Sequence, residues 1–154
     1  MPTVRAKEQI DVPQAWLFAL SQDYSLRSSW DPFSESYQFH TPDGVPRVGA
    51  ELSGRARNGY TMRARYIAFN PPEGAAFEMV SGPWFFDTFS GAWRFVEVAP
   101  GRTAVSFNYN FTVRPRLLRW FIEPPLRRSL ERHIRARIAG LKTYAESTHI
   151  PAAA

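Results

Sequence analysis

Between Leu126 and Glu146 the chain repeats apolar residues every three or four positions: Leu126, Leu130, Ile134, Ile138, Leu141 and Ala145. That is the period of an α-helix with one apolar stripe. Arg128, Arg132, Arg135 and Lys142 fall on the opposite side. A long amphipathic helix has to lay its stripe on something. Upstream, from Thr3 to Val113, the chain reads mostly as strands in which apolar and polar residues alternate. The two patterns together predict a sheet that curls around one terminal helix and leaves a hollow between them.

Taken in order, Val4, Ala6, Ile10 and Val12 alternate through a first strand, with Glu8 on their side. Pro13 suits a helix start, since its missing N–H would go unpaired there anyway, and Ala15 to Leu20 make that helix short and apolar. A second short helix is expected over Tyr24 to Ser29, closing at Trp30-Asp31-Pro32. Strands follow around Tyr37, around Leu52, from Tyr60 to Tyr66 and around Phe77. Asn58-Gly59 predicts a hairpin with a type I′ turn. Gly82-Pro83-Trp84 interrupts the alternation, Trp93 and Phe95 resume it, and Val105 to Val113 is the clearest strand, the seventh. Pro115 to Ile122 reads as a helical lead-in that Pro124-Pro125 should break, because neither proline can donate a helix hydrogen bond.

Several chemistries are excluded at once. With no cysteine there is no disulfide, thiolate zinc site or cysteine nucleophile. The three histidines, His40, His133 and His149, have no clustered spacing, so no metal site is expected. No basic segment precedes an apolar run at the N-terminus, and no apolar run nears the ~20 residues of a membrane span, so a cytoplasmic protein is expected. Charge is unevenly placed: nine basic residues and two acids lie between Arg114 and Lys142, in a chain whose total is +5. A solvated helix face accounts for this; anionic lipid is the alternative, and nucleic acid the least favoured partner.

The landmarks also resemble a known family. Val12-Pro13 leading to Trp16, Trp30-Asp31-Pro32, Gly82-Pro83-Trp84 followed by Phe89, Gly91, Trp93 and Phe95, and Gly101-Arg102-Thr103-Ala104-Val105 are similar to those of the START-like, or Bet v 1-like, helix-grip superfamily (SRPBCC). More narrowly they resemble its polyketide cyclase/dehydrase and coenzyme-Q-binding branch, which also includes ribosome-association toxins. Trp84 stands where the branch often has Phe. The likeness spans roughly Thr3 to Ser147. It implies an α+β helix-grip fold: seven curved antiparallel strands wrapped around the C-terminal helix, with two short helices after the first strand. Residues 1–148 would form one such domain and 149–154 a disordered tail.

The resemblance further implies a cavity between sheet and helix for an apolar small molecule. Candidate liners are Tyr37, Met62, Tyr66, Phe77, Met79, Trp93, Phe107 and Tyr109, with Trp30, Trp84 and Phe89 at its mouth. Arg137 falls inside the apolar stripe of the helix, and a buried guanidinium needs an anionic or strongly accepting partner. Glu8, Glu78 or a ligand would serve; otherwise its stem reaches past the stripe to water. His133 lies at the edge of the stripe, where a structural hydrogen bond is favoured over acid–base work. The basic, apolar block of Leu117, Leu118, Trp120, Phe121 and Ile122 with Arg114, Arg116 and Arg119 reads as a lid or a dimer contact, with a membrane headgroup surface as the alternative.

These readings favour binding or transport of a lipid, quinone or polyketide-like molecule, by a monomer or homodimer that needs no cofactor. The alternatives are a polyketide aromatase/cyclase, in which Tyr66, Glu8, Arg65 or Arg137 would assist proton transfer, and a ribosome- or RNA-associated interaction protein. No residue is assigned a catalytic role, since no sharp motif places one.

Overall fold

Alternation is most regular in the last strand, where Thr103, Val105, Phe107, Tyr109, Phe111 and Val113 are all buried and the residues between them are only half covered. Thr103 donates its hydroxyl to the Val12 carbonyl at 2.8 Å, so its burial leaves that group paired. The computed structural model describes residues 2–32 and 34–149. Its elements are β1 (Thr3–Ile10), α1 (Gln14–Ser21), α2 (Arg27–Trp30), β2 (Ser34–Phe39), β3 (Glu51–Ala56), β4 (Thr61–Asn70), β5 (Gly74–Ser81), β6 (Phe86–Ala99), β7 (Arg102–Val113), one 3₁₀ turn (Arg116–Leu118) and α3 (Arg119–Thr148).

All seven strands join one antiparallel sheet in the order β1-β7-β6-β5-β4-β3-β2. The sheet curls into a half-barrel, with register shifts in the β2–β3, β4–β5 and β6–β7 pairs. Such bulges bend a strand and increase its twist. α3 lies along β1 and β7 with α2 beside it. Its stripe is the expected one: Leu130, Ile134, Ile138, Leu141 and Ala145 are buried, and so is Arg137. The helix-grip arrangement expected from the sequence is therefore the arrangement observed.

Gly140 sets how closely α2 approaches α3. A Cβ there would stand 2.0 Å from the Trp30 carbonyl oxygen, so only glycine lets the two helices meet. That approach carries the residues after α2 to the helix face that bears Arg137.

Three local expectations are corrected. The Asn58-Gly59 hairpin is not type I′, because Gly59 alone has positive φ, at 93°. The Gly59 N–H bonds the Ala56 carbonyl and the Ala56 N–H bonds the Tyr60 carbonyl, each at 2.9 Å, giving a three-residue loop with glycine in the left-handed position. Pro124-Pro125 does not break the last helix, which runs through both. The carbonyls they leave without a donor belong to Trp120 and Phe121, whose residues are 75% and 77% exposed, so water can take the place of the lost bonds. The second helix is one turn, Arg27–Trp30, and Tyr24 lies in the turn before it. The expected tail falls outside the described residues from Ile150 onward; His149 ends α3, with its ring 4.8 Å from that of Trp16.

Candidate functional site

Between the concave sheet and the first half of α3 lies a cavity of about 270 Å³, near the lower end of the range for ligand pockets. Its wall is mainly apolar: Leu52, Met62 and Phe77 from the middle strands, Phe89 and Trp93 from β6, Leu126 and Leu130 from α3. Gly91 makes room for one of these rings, since a Cβ there would stand 2.6 Å from the tip of Phe77. The exposed lining residues Arg55, Asn58, Tyr60 and Thr61 mark the opening at the β3–β4 hairpin. A wider groove of about 880 Å³ lies on the other side of Tyr24 and Tyr37, between α1 and the Pro71-Pro72 turn, and is more open to solvent.

One end of the cavity is polar. Arg27 and Arg137 both line it, although they are only 3% and 5% exposed. Asp31 lies between them, fully buried, and its Oδ2 faces Arg27 Nε at 3.0 Å and Arg137 Nε at 2.8 Å. The same oxygen accepts from Ser34 Oγ at 3.0 Å, so the Tyr37 hydroxyl must be the donor in its bond with Ser34. Arg27 also donates to the Ser21 carbonyl at 3.0 Å, and Arg137 donates to the Tyr109 hydroxyl. Each part has a local cause. Arg27 and Asp31 stand four residues apart around the single turn of α2, and Arg137 reaches them where Gly140 lets α3 close on that turn.

The electrostatics follow from this packing. Burial opposes charge on Arg137, but the groups around it, Asp31 foremost and Tyr109 and Tyr37 after it, together hold the guanidinium above its ordinary range. Burial pushes the Tyr109 hydroxyl up to about 12, so it is neutral and can donate. Tyr66 is raised further, again by burial, and donates to Gln22 Oε1 at 2.7 Å while accepting from Tyr24 at 2.6 Å. His133 is shifted down, by burial first and then by Arg137 and Arg132, which favours its neutral form.

Of the residues singled out in the sequence, Tyr37, Met62, Phe77, Phe89, Trp93, Tyr109, His133 and Arg137 line the cavity. The other five lie outside its lining. Phe107 is fully buried beneath Trp93, their rings 4.3 Å apart. Tyr66 is in the hydrogen-bonded layer with Tyr24, and Met79 packs beside Gly82. Trp30 and Phe89 do not guard a mouth: both are buried, Trp30 edge-on to Trp93 and Phe89 in the wall. Trp84 is 65% exposed, outside the lining that its neighbours Pro83 and Phe85 join.

The partners suggested for Arg137 are also corrected. Glu8 is exposed on edge strand β1 and pairs with Lys142 at 3.5 Å, while Glu78 faces Arg65 at 3.7 Å. Asp31 takes their place. Of the four groups considered for proton transfer, only Arg137 lines the cavity. The sequence reading missed Arg27, Asp31 and Ser34; the four-residue Arg27–Asp31 spacing on a short helix was the available signal. Among the described residues no group of three or more His, Cys, Asp or Glu side chains comes together, and no helix is long and apolar enough to cross a membrane.

The basic, apolar block is not a lid. Leu117, Trp120 and Phe121 are 90%, 75% and 77% exposed. It begins beside the cavity all the same, because Arg114 donates to the carbonyls of Phe85 and Trp84 at 3.0 and 2.6 Å.

Solved structures share this architecture at low sequence identity. A START superfamily protein from Mycobacterium smegmatis superposes with a TM-score of 0.79 at 12% identity, over 96% of this chain and 99% of its own. A protein from Thermus thermophilus gives 0.77 at 17%, over 97% and 100%. The Zhui aromatase/cyclase from Streptomyces sp. R1128 gives 0.76 at 16%, over 94% and 93%. No curated protein matches the chain in sequence. A family model described as polyketide cyclase / dehydrase and lipid transport matches residues 1–146. With its sheet curled around α3 and a cavity between them, the chain belongs to the polyketide cyclase/dehydrase and lipid transport family.

Proposed function

We propose that the protein sequesters an apolar small molecule in the hollow between the sheet and α3. The observation that carries this reading is a cavity of about 270 Å³ with an apolar wall and one polar end. Transfer from water into such a wall is worth ~25 cal/mol per Å² of apolar area, and a few polar groups at one end fix which way the ligand enters. Native mass spectrometry of protein purified without added ligand tests this: the expected result is a retained small molecule that organic extraction releases. A bare polypeptide mass, together with no binding of small aromatic probes, contradicts it.

The exposed block beside the cavity is the handover surface, and its occupant is an anionic bilayer. Leu117, Trp120 and Phe121 supply apolar side chains to the interface, while Arg114, Arg116 and Arg119 bring positive charge, with no acid between Arg114 and Ile122. Sedimentation with vesicles containing phosphatidylglycerol is expected to bring the protein down, and phosphatidylcholine vesicles much less. Equal recovery with both, or with neither, overturns this part. Concentration-dependent dimerisation that burial of Trp120 accompanies would assign the block to a second copy instead.

A further inference from the structure

We infer that the cavity selects ligands bearing an anionic or strongly accepting group, a carboxylate or an acidic enol or phenol, and that Arg27, Arg137 and Tyr109 receive it. The inference rests on the cavity reading above and adds the chemical class of its occupant. Two guanidiniums share one carboxylate at this end of the cavity, so Arg27, Asp31 and Arg137 together carry one excess positive charge. All three are buried, and a buried surplus charge is costly unless something of opposite sign offsets it. The other cation of the lining, Arg55, stands at the exposed rim and is paired with Glu35 at 3.4 Å, so it contributes little to the interior.

Tyr109 gives an independent indication. Its hydroxyl accepts from Arg137, and its own proton remains available to donate into the cavity that it lines. Ser34 and Tyr37, by contrast, direct their protons along a chain that ends on Asp31. The charged end therefore presents donors and positive charge to the cavity, and Asp31, its carboxylate, is engaged by two arginines and a serine. A ligand with an apolar body toward Met62, Phe77 and Phe89 and an acidic head toward the arginines matches both ends.

The test is calorimetric titration of the intact protein with 2-naphthoate and, separately, with methyl 2-naphthoate, which has the same ring system and no charge. The carboxylate is expected to bind at least about tenfold more tightly, as a charge-assisted hydrogen bond warrants. In Arg137→Met, where Arg27 and Asp31 remain a balanced pair, that preference is expected to vanish while the ester still binds. Equal binding of the two probes, or tighter binding of the ester, to the unaltered protein overturns the inference and leaves the cavity reading standing. Failure of both probes to bind, in a protein that also retains no ligand on purification, overturns the two together. The comparison of the two probes needs no variant, so it holds even if Arg137→Met fails to fold.

Discussion

Arginines occur here in two settings that differ in almost everything but chemistry. Arg27 and Arg137 are sealed against Asp31 at one end of the cavity, 3% and 5% exposed. Arg114, Arg116 and Arg119 stand in water among exposed Leu117, Trp120 and Phe121. In the first setting each guanidinium is held by geometry, and removing its counter-charge leaves a cost that water cannot meet. In the second, solvent screens the charges and their value appears only when an anionic surface arrives. Changes at the buried set should therefore alter the fold and ligand choice, and changes at the exposed set should alter attachment alone.

The largest expected effect is at Asp31. Asp31→Asn leaves two buried guanidiniums without a counter-charge and is expected to cost about 3–5 kcal/mol by urea unfolding. Arg137→Met should cost less, because Arg27 and Asp31 still balance. A loss at Arg137 as large as that at Asp31 would break the contrast, by showing that packing and not charge governs this end. Next comes Gly140→Ala. With the Trp30 oxygen 2.0 Å from the new methyl, α2 must move off α3, for about 1–3 kcal/mol and a weakened Asp31–Arg137 pair.

In the exposed set, Trp120→Ala combined with Phe121→Ala is expected to leave stability within about 0.5 kcal/mol while removing vesicle sedimentation. Loss of stability with retained sedimentation would reverse the assignment. The smallest effect is at His133, whose folded pKa lies below its ordinary value of 6.5. Between the folded and unfolded values the unfolded chain binds more protons, so the neutral ring's contribution is present above about pH 6.5 and is lost as pH falls through the folded pKa. His133→Gln should flatten the fall in stability between pH 7 and 5, read from thermal melts at each pH.

How much is legible in the sequence divides along the same line. The helix stripe, the seven strands and the place of Arg137 within that stripe all follow from periodicity, because one-sided burial imprints a repeat on the chain. Phe86 and Phe89 are both buried at a spacing of three, since the register shifts between Phe86 and Thr88; bulges of this kind leave no period to read. Asp31 is visible as part of Trp30-Asp31-Pro32, where it reads as a helix stop. Its pairing with Arg137, more than a hundred positions later, depends on the close approach that Gly140 allows, and a single sequence carries no trace of that contact. Pro124-Pro125 misleads for a related reason: whether a proline breaks a helix depends on whether water can reach the carbonyls it orphans.

Where an apolar ligand sits is the most direct question, because the cavity and the exposed block are both apolar and both next to arginines. Intermolecular NOEs from 2-naphthoate to the protein answer it. Contacts to the Met62 methyl, the Leu52 and Leu130 methyls and the Phe77 ring are predicted, with none to Trp120. NOEs confined to Leu117, Trp120 and Phe121 would place the ligand on the surface and contradict carriage in the hollow.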